Sequence, residues 1–142
     1  MRVYYAHCTA IYNTPQEVRD ELLLARLFPG AELVNPNRAA IQGQCDNVRA
    51  KYILEHGDSP TSRSEAGHQV MERVFQPLAM SCDVLAFRAL PGWGAMIPAG
   101  VAKEIQWAIW AGKAVIELPS LMEHRKMSVE ATRQYLLEVG QR

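Results

Sequence analysis

Asp83-Val84-Leu85-Ala86-Phe87-Arg88, then Pro98-Ala99-Gly100-Val101-Ala102-Lys103-Glu104-Ile105, then Ala114-Val115-Ile116-Glu117-Leu118: these three segments, in this order, decide the fold. The first is a short apolar run bounded by charges and reads as a buried strand, with Gly92 and Gly94 punctuating the loop behind it. Pro98 suits an early helical position, where its fixed φ fits and its missing N–H costs nothing. A 3.6-residue period then puts Val101, Ile105, Ala108, Ile109 and Gly112 on one face, with Lys103, Gln106, Trp110 and Lys113 opposite. The third segment is again β-prone. Strand, helix and strand in succession predict parallel pairing through a right-handed crossover.

The same alternation extends outward. Residues 2–6 (RVYYA) form a first strand, and Thr14-Pro15-Gln16-Glu17 is a capping box that opens a helix to about Leu27, with Val18, Leu22 and Ala25 as its packing face. Phe28-Pro29-Gly30 stops that helix, Ala31 to Val34 is a second strand, and Asn35-Pro36-Asn37 ends it. Residues 38–63 have weak periodicity and scattered Gly, Asp, Ser and Pro. They read as a long irregular connection, with one helical turn group around 46–55, and such connections commonly serve as lids or binding elements. Ser64 to about Met80 is helical through Val70, Val74 and Leu78, with a kink expected at Pro77. A last helix falls near 128–139. The expected architecture is one domain over residues 1–142. It is an α/β three-layer sandwich around a small, mostly parallel sheet, Rossmann-like or flavodoxin-like.

Composition narrows the function. The 142 residues carry fifteen Lys+Arg against fifteen Asp+Glu, a balance that argues against coating a nucleic-acid polymer or a membrane surface. No apolar run is long enough to span a bilayer. The start, MRVYYAHCTA, lacks the apolar stretch of a secretory signal, and Cys8, Cys45 and Cys82 form neither an even framework nor a Cys-x-x-Cys pair. A cytoplasmic protein with reduced thiols is expected. The four histidines and three cysteines show no ligand spacing, so neither metal nor cofactor is called for.

In parallel sheets ligands bind beyond the carboxyl ends of the strands. Those ends carry His7 and Cys8, Asn35, and the span from Arg88 to Pro98, which includes Trp93, an aromatic able either to stack on a flat ligand or merely to cover the core. Glu104 is the informative residue there. It sits on the flank of an apolar helical face, and its neighbours three and four residues away are Gly100, Val101, Trp107 and Ala108, none of which can neutralise it. It reads either as a reactive carboxylate or as a buried glutamate paired with Tyr4 or Arg88. Asp83 opens a buried strand and reads either as a catalytic acid or as a structural cap at the sheet edge. Trp107 and Trp110, on the flank and polar side of the helix, suggest a subunit interface.

Val3-Tyr4-Tyr5-Ala6, Asp83-Val84-Leu85-Ala86, Gly100-Val101-Ala102-Lys103-Glu104-Ile105-Gln106-Trp107-Ala108 and Gly112-Lys113-Ala114-Val115-Ile116 together resemble the nucleoside 2-deoxyribosyltransferase family, which includes nucleotide N-glycoside hydrolases. The resemblance implies an N-glycosidase or pentosyltransferase in which Glu104 attacks the anomeric carbon and expels the base. Water or a second base then resolves the glycosyl-enzyme ester. It makes Tyr4 the residue that orients this carboxylate and gives Gly100 to the substrate site. It also implies that Ser128 is lent to a neighbouring subunit's site, hence a homodimer or larger homo-oligomer. Pro98 stands where relatives hold the sugar or its 5′-phosphate with serine or aspartate, and His7-Cys8 stands where they carry glycine. A carboxylate near a helix N-terminus is expected to stay ionised. The expected partner is a small nucleoside or nucleotide. The alternative is a module that binds a nucleotide or nucleotide-derived signal without turnover.

Overall fold

The structure, a computed structural model, describes residues 1–90, 96–119 and 129–140. It is an α/β three-layer arrangement with four parallel strands, β1 (Arg2–Ala6), β2 (Glu32–Val34), β3 (Val84–Phe87) and β4 (Ala114–Glu117), in the order β2-β1-β3-β4. Pairing aligns Tyr4 with Val34 on one side and with Leu85 on the other, and Leu85 with Val115. The chain leaves β1 toward β2 and returns past it to β3, so direction reverses between β1 and β3. That reversal opens a crevice above their carboxyl ends, as in flavodoxin-like sheets.

Alternation along each strand divides the core in two. Tyr4, Ala6, Leu85 and Phe87 face one layer, made by α4 (Gln76–Ser81) and α5 (Ala99–Trp110) with Ile41 of α2 (Ala39–His56). Val3, Tyr5, Val84 and Ala86 face the other, against Leu24 of α1 (Pro15–Leu27). A third cluster, Cys45, Val70 and Val74, lies between α2 and the end of α3 (Pro60–Val70). The last helix, α6, spans Val129–Glu138 and buries none of its residues.

Three expectations are corrected. Residues 38–63 are not an irregular connection: α2 fills 39–56, and α3 begins at Pro60 under a Ser59 cap. The helix is hard to see because only Cys45 is fully buried, and the packing stripe is the thin set Ile41, Cys45 and Val48. The inward face of α1 is Glu17, Asp20 and Leu24, while Val18 and Leu22 are about 60% exposed (60% and 61%) and Ala25 faces solvent. Cationic and imidazole side chains at the strand ends draw the carboxylates inward, because a buried charge needs a partner. Trp107 is buried within this chain and cannot serve an interface, whereas Trp110 is 71% exposed.

Pro77 acts as its chemistry requires, without breaking the helix. Between α3 and α4, Met71–Phe75 forms one π-helical turn, and the Gln76 N–H donates to the Met71 carbonyl five residues back. The wider turn gives the proline ring room and absorbs its missing donor. Pro98 is the N-cap of α5, one position before the helix.

Candidate functional site

Above the β1 and β3 ends lies a cavity of about 220 Å³. One wall is the segment after β1, with His7, Cys8 and Tyr12, and another is the π-turn, which contributes Met71 and Phe75. The start of α5 brings Pro98, Gly100 and Glu104. Gly100 is not there to avoid a clash, since an added Cβ would meet only the Met71 Cε at 3.8 Å.

Glu104 is 5% exposed. Its Oε2 has no hydrogen-bond partner among the described residues, and neither has the buried hydroxyl of Tyr4. The two groups are close enough for each to shift the other's ionisation, although their geometry falls short of a formed hydrogen bond. Burial pushes the Glu104 carboxyl up to about 8, with the Tyr4 phenol pulling weakly the other way. The expectation of a carboxylate held ionised by the helix N-terminus is therefore corrected. Glu104 lies in the second turn of α5, beyond the strongest part of the terminal field, and desolvation wins. Burial likewise raises Tyr4, and the nearby carboxylate raises it further. Tyr12, on the cavity wall, is raised by burial and then by Glu104.

The wall behind His7 is the opposite case. Its ring lies between two acceptors, with Nε2 2.7 Å from Glu17 Oε2 and Nδ1 3.0 Å from the Tyr5 carbonyl oxygen. The ring also stacks on Tyr5 at 3.8 Å and tilts against Tyr12 at 4.8 Å. Burial opposes charge on Glu17, but donors from His7, Asn37 and the Asn13 amide outweigh it and hold its carboxyl below the usual range. The capping box thus forms with a shift: the Glu17 carboxylate accepts from the Asn13 N–H at 3.2 Å, one residue before the cap.

His7, Pro98, Gly100 and Glu104 line one cavity, and Tyr4 lies close to Glu104. Three candidates are not in the cavity. Arg88 is buried on the α1 side, where its Nε donates to Asp20 Oδ2 at 2.9 Å, its Nη2 to Asp20 Oδ1 and its Nη1 to the Pro119 carbonyl. That leaves it unavailable to substrate and removes it as a partner for Glu104. Asn35 donates to Glu21 at 2.7 Å and accepts from the Asn37 N–H, closing the turn after β2. Asp83 accepts from the Arg2 N–H at 2.8 Å at the amino end of the sheet, opposite the cavity, a placement that suits the structural reading and not the catalytic one. Ser128 and Trp93 lie outside the described residues.

Tyr12, Met71 and Phe75 were not anticipated. Met71 and Phe75 stand four apart, a spacing that put them on one side of the expected helix, but nothing local says that this side meets a cavity. Tyr12 directly precedes the Asn13-Thr14 cap, and that proximity to the β1 end was the available signal. Among the described residues no group of three or more His, Cys, Asp or Glu could hold a metal ion. Among them too, no helix is long and apolar enough to cross a membrane.

The sequence matches no protein-family model and no curated protein. Among solved structures the chain is similar to a 2-desoxiribosyltransferase from Leishmania mexicana, at 13% identity and a TM-score of 0.44, over 96% of this chain and 97% of that one. So distant a likeness carries no functional argument; the fold stands on the sheet order and layers described above.

Proposed function

We propose that this chain cleaves or transfers the N-glycosidic bond of a nucleoside or nucleoside 5′-monophosphate, with Glu104 as nucleophile. The observation that carries the reading is a carboxyl group 5% exposed, on the wall of a 220 Å³ cavity, with one oxygen unpartnered and no cation among the described residues acting on it. The motif resemblance around Tyr4 and Glu104 supplies the chemistry. Ionised Glu104 attacks the anomeric carbon, the C1′–N bond breaks with its electron pair going to the base, and a glycosyl ester forms. Water or a second base then attacks the same carbon and releases the carboxylate.

Burial suits this role. A carboxylate without a counter-charge is poorly stabilised in the free protein, and positive charge developing on an oxocarbenium-like sugar provides the missing partner. The attraction is then stronger in the transition state than in the ground state, which is the condition for catalysis. Tyr4 restricts the carboxylate's approach, and Tyr12, Phe75 and Met71 offer flat or pliable apolar surface to a base or sugar.

The test is incubation of the purified protein with deoxyribonucleosides, ribonucleosides and their 5′-monophosphates, reading free base by chromatography. Base release is expected, with a loss of about 10⁴-fold or more in Glu104→Gln. If no substrate releases base and Glu104→Gln binds each of them unchanged, the reading fails. One observation favours the second reading, a binding module without turnover: with its carboxyl at about 8, Glu104 is mostly neutral near pH 7 and can donate a hydrogen bond to a ligand. Recovery of a bound nucleotide chemically intact, with no base released at pH 9, would select it.

A further inference from the structure

The seam between α2 and the α3–π-turn segment changes character along its length. Midway it is apolar, with Cys45, Val70 and Val74 buried and Ile41, Val48 and Phe75 around them. Further along α2 it opens into a groove of about 170 Å³, bounded by Lys51, Tyr52, Glu55 and His56 on one wall and by Gln69 and Arg73 on the other. Continuation of the packing stripe should bring another apolar residue to this point. The stripe instead reaches Tyr52, half-buried on the groove wall, and charged side chains line the rest of the gap.

The positive charges outnumber the negative one. Arg49 and Arg63, on nearby turns, pair with Asp46 and Asp58. Lys51 and Arg73 have no ion-pair partner among the described residues, and Glu55 is the one acidic residue on the groove's wall. Tyr52 and His56 stack at 4.0 Å with 15° between their planes, and His56 Nδ1 lies 3.0 Å from the Tyr52 carbonyl oxygen, leaving Nε2 as the free edge of the ring. The Glu104 cavity, by contrast, has no lysine or arginine among its described lining residues.

We propose that this groove is a second binding site that takes the phosphate group of a small phosphorylated molecule between Lys51 and Arg73, beside the Tyr52–His56 stack. Cations reaching in from two walls match the distributed charge of a phosphate, and the guanidinium can meet two of its oxygens at once. The site shares the π-turn with the Glu104 cavity: Arg73 lines the groove while Met71 and Phe75 line the cavity. Its existence does not depend on what Glu104 does.

The experiment is a backbone-amide NMR titration of the full chain at fixed ionic strength, with inorganic phosphate, ribose 5-phosphate and ribose as separate probes. Saturable shifts at Lys51, Tyr52, His56, Gln69 and Arg73 are expected with both phosphates and none with ribose. A double Lys51→Met, Arg73→Met variant, altered only at exposed positions, should keep the native spectrum and lose affinity by about tenfold or more. Glu104→Gln should bind the phosphates as the parent does, which separates this site from the proposed reaction. Non-saturating shifts, an unchanged affinity in the double variant, or shifts confined to the Glu104 cavity would each overturn the proposal.

Discussion

Tyr4 and Tyr5 are consecutive in β1, equally buried, and face opposite layers with opposite fates. The Tyr5 hydroxyl donates to Asp20 at 2.5 Å, and Asp20 in turn accepts from Arg88, so every member of that group is paired. The Tyr4 hydroxyl makes no formed hydrogen bond, and the carboxyl it approaches, Glu104, has no cation beside it among the described residues and nothing but that phenol to pull it down. Both layers bury a carboxyl group beside a tyrosine. One uses it to fix the ends of β1, β3 and β4, and the other leaves it exposed to a cavity at an energetic disadvantage. A buried ionisable group with all its partners fits a structural role, and one without them is the candidate for a site.

The contrast predicts opposite responses to losing the carboxylate. Asp20→Asn should destabilise the fold by about 3–5 kcal/mol in urea unfolding, because Arg88 is left buried without a counter-charge. Glu104→Gln should cost little at pH 5 and stabilise at pH 9. The sign follows from the folded carboxyl at about 8 against an ordinary 4.5 in the unfolded chain. Between these values the folded state holds a proton that the unfolded state has released, so wild-type stability falls as pH rises, at most by about 1.4 kcal/mol per unit, and levels off above about 8. The glutamine variant should lack that slope, and an equal slope in both proteins would show that some other group is titrating.

The tyrosines sharpen the comparison at smaller scale. Tyr5→Phe removes a donor from buried Asp20 and should cost about 1.5–3 kcal/mol. Tyr4→Phe removes a hydroxyl that approaches Glu104 without a fully formed hydrogen bond and should change stability by less than about 1 kcal/mol. It should also raise the Glu104 midpoint, because the Tyr4 phenol is what pulls it down. A Tyr4→Phe loss as large as that of Tyr5→Phe would mean that the two layers are not different in kind.

The strands were legible because short apolar β-prone runs have few other readings, with glycine and proline marking the bounds of β2 and β4. The parallel order followed from their alternation with helices. Residues 39–56 were not legible: a helix that buries one cysteine and exposes its other sides carries no strong period. The orientation of α1 misled for a related reason. Hydrophobic patterning pointed to Val18 and Leu22, and the deciding partners of Glu17 and Asp20, His7 and Arg88, are ten and sixty-eight residues away in sequence. Glu104 could be singled out because no helical neighbour can neutralise it, a local fact. Its ionisation could not be read, because that depends on how completely Tyr4, Tyr12 and the π-turn exclude water.

The most direct test follows the Glu104 carboxyl carbon itself, by carbon-13 NMR of glutamate-labelled protein assigned through Glu104→Gln, across a pH titration. A midpoint near 8 that moves when a nucleoside is added is predicted. A midpoint near the ordinary 4.5, indifferent to nucleoside, would contradict the account of an uncompensated carboxyl group facing its substrate.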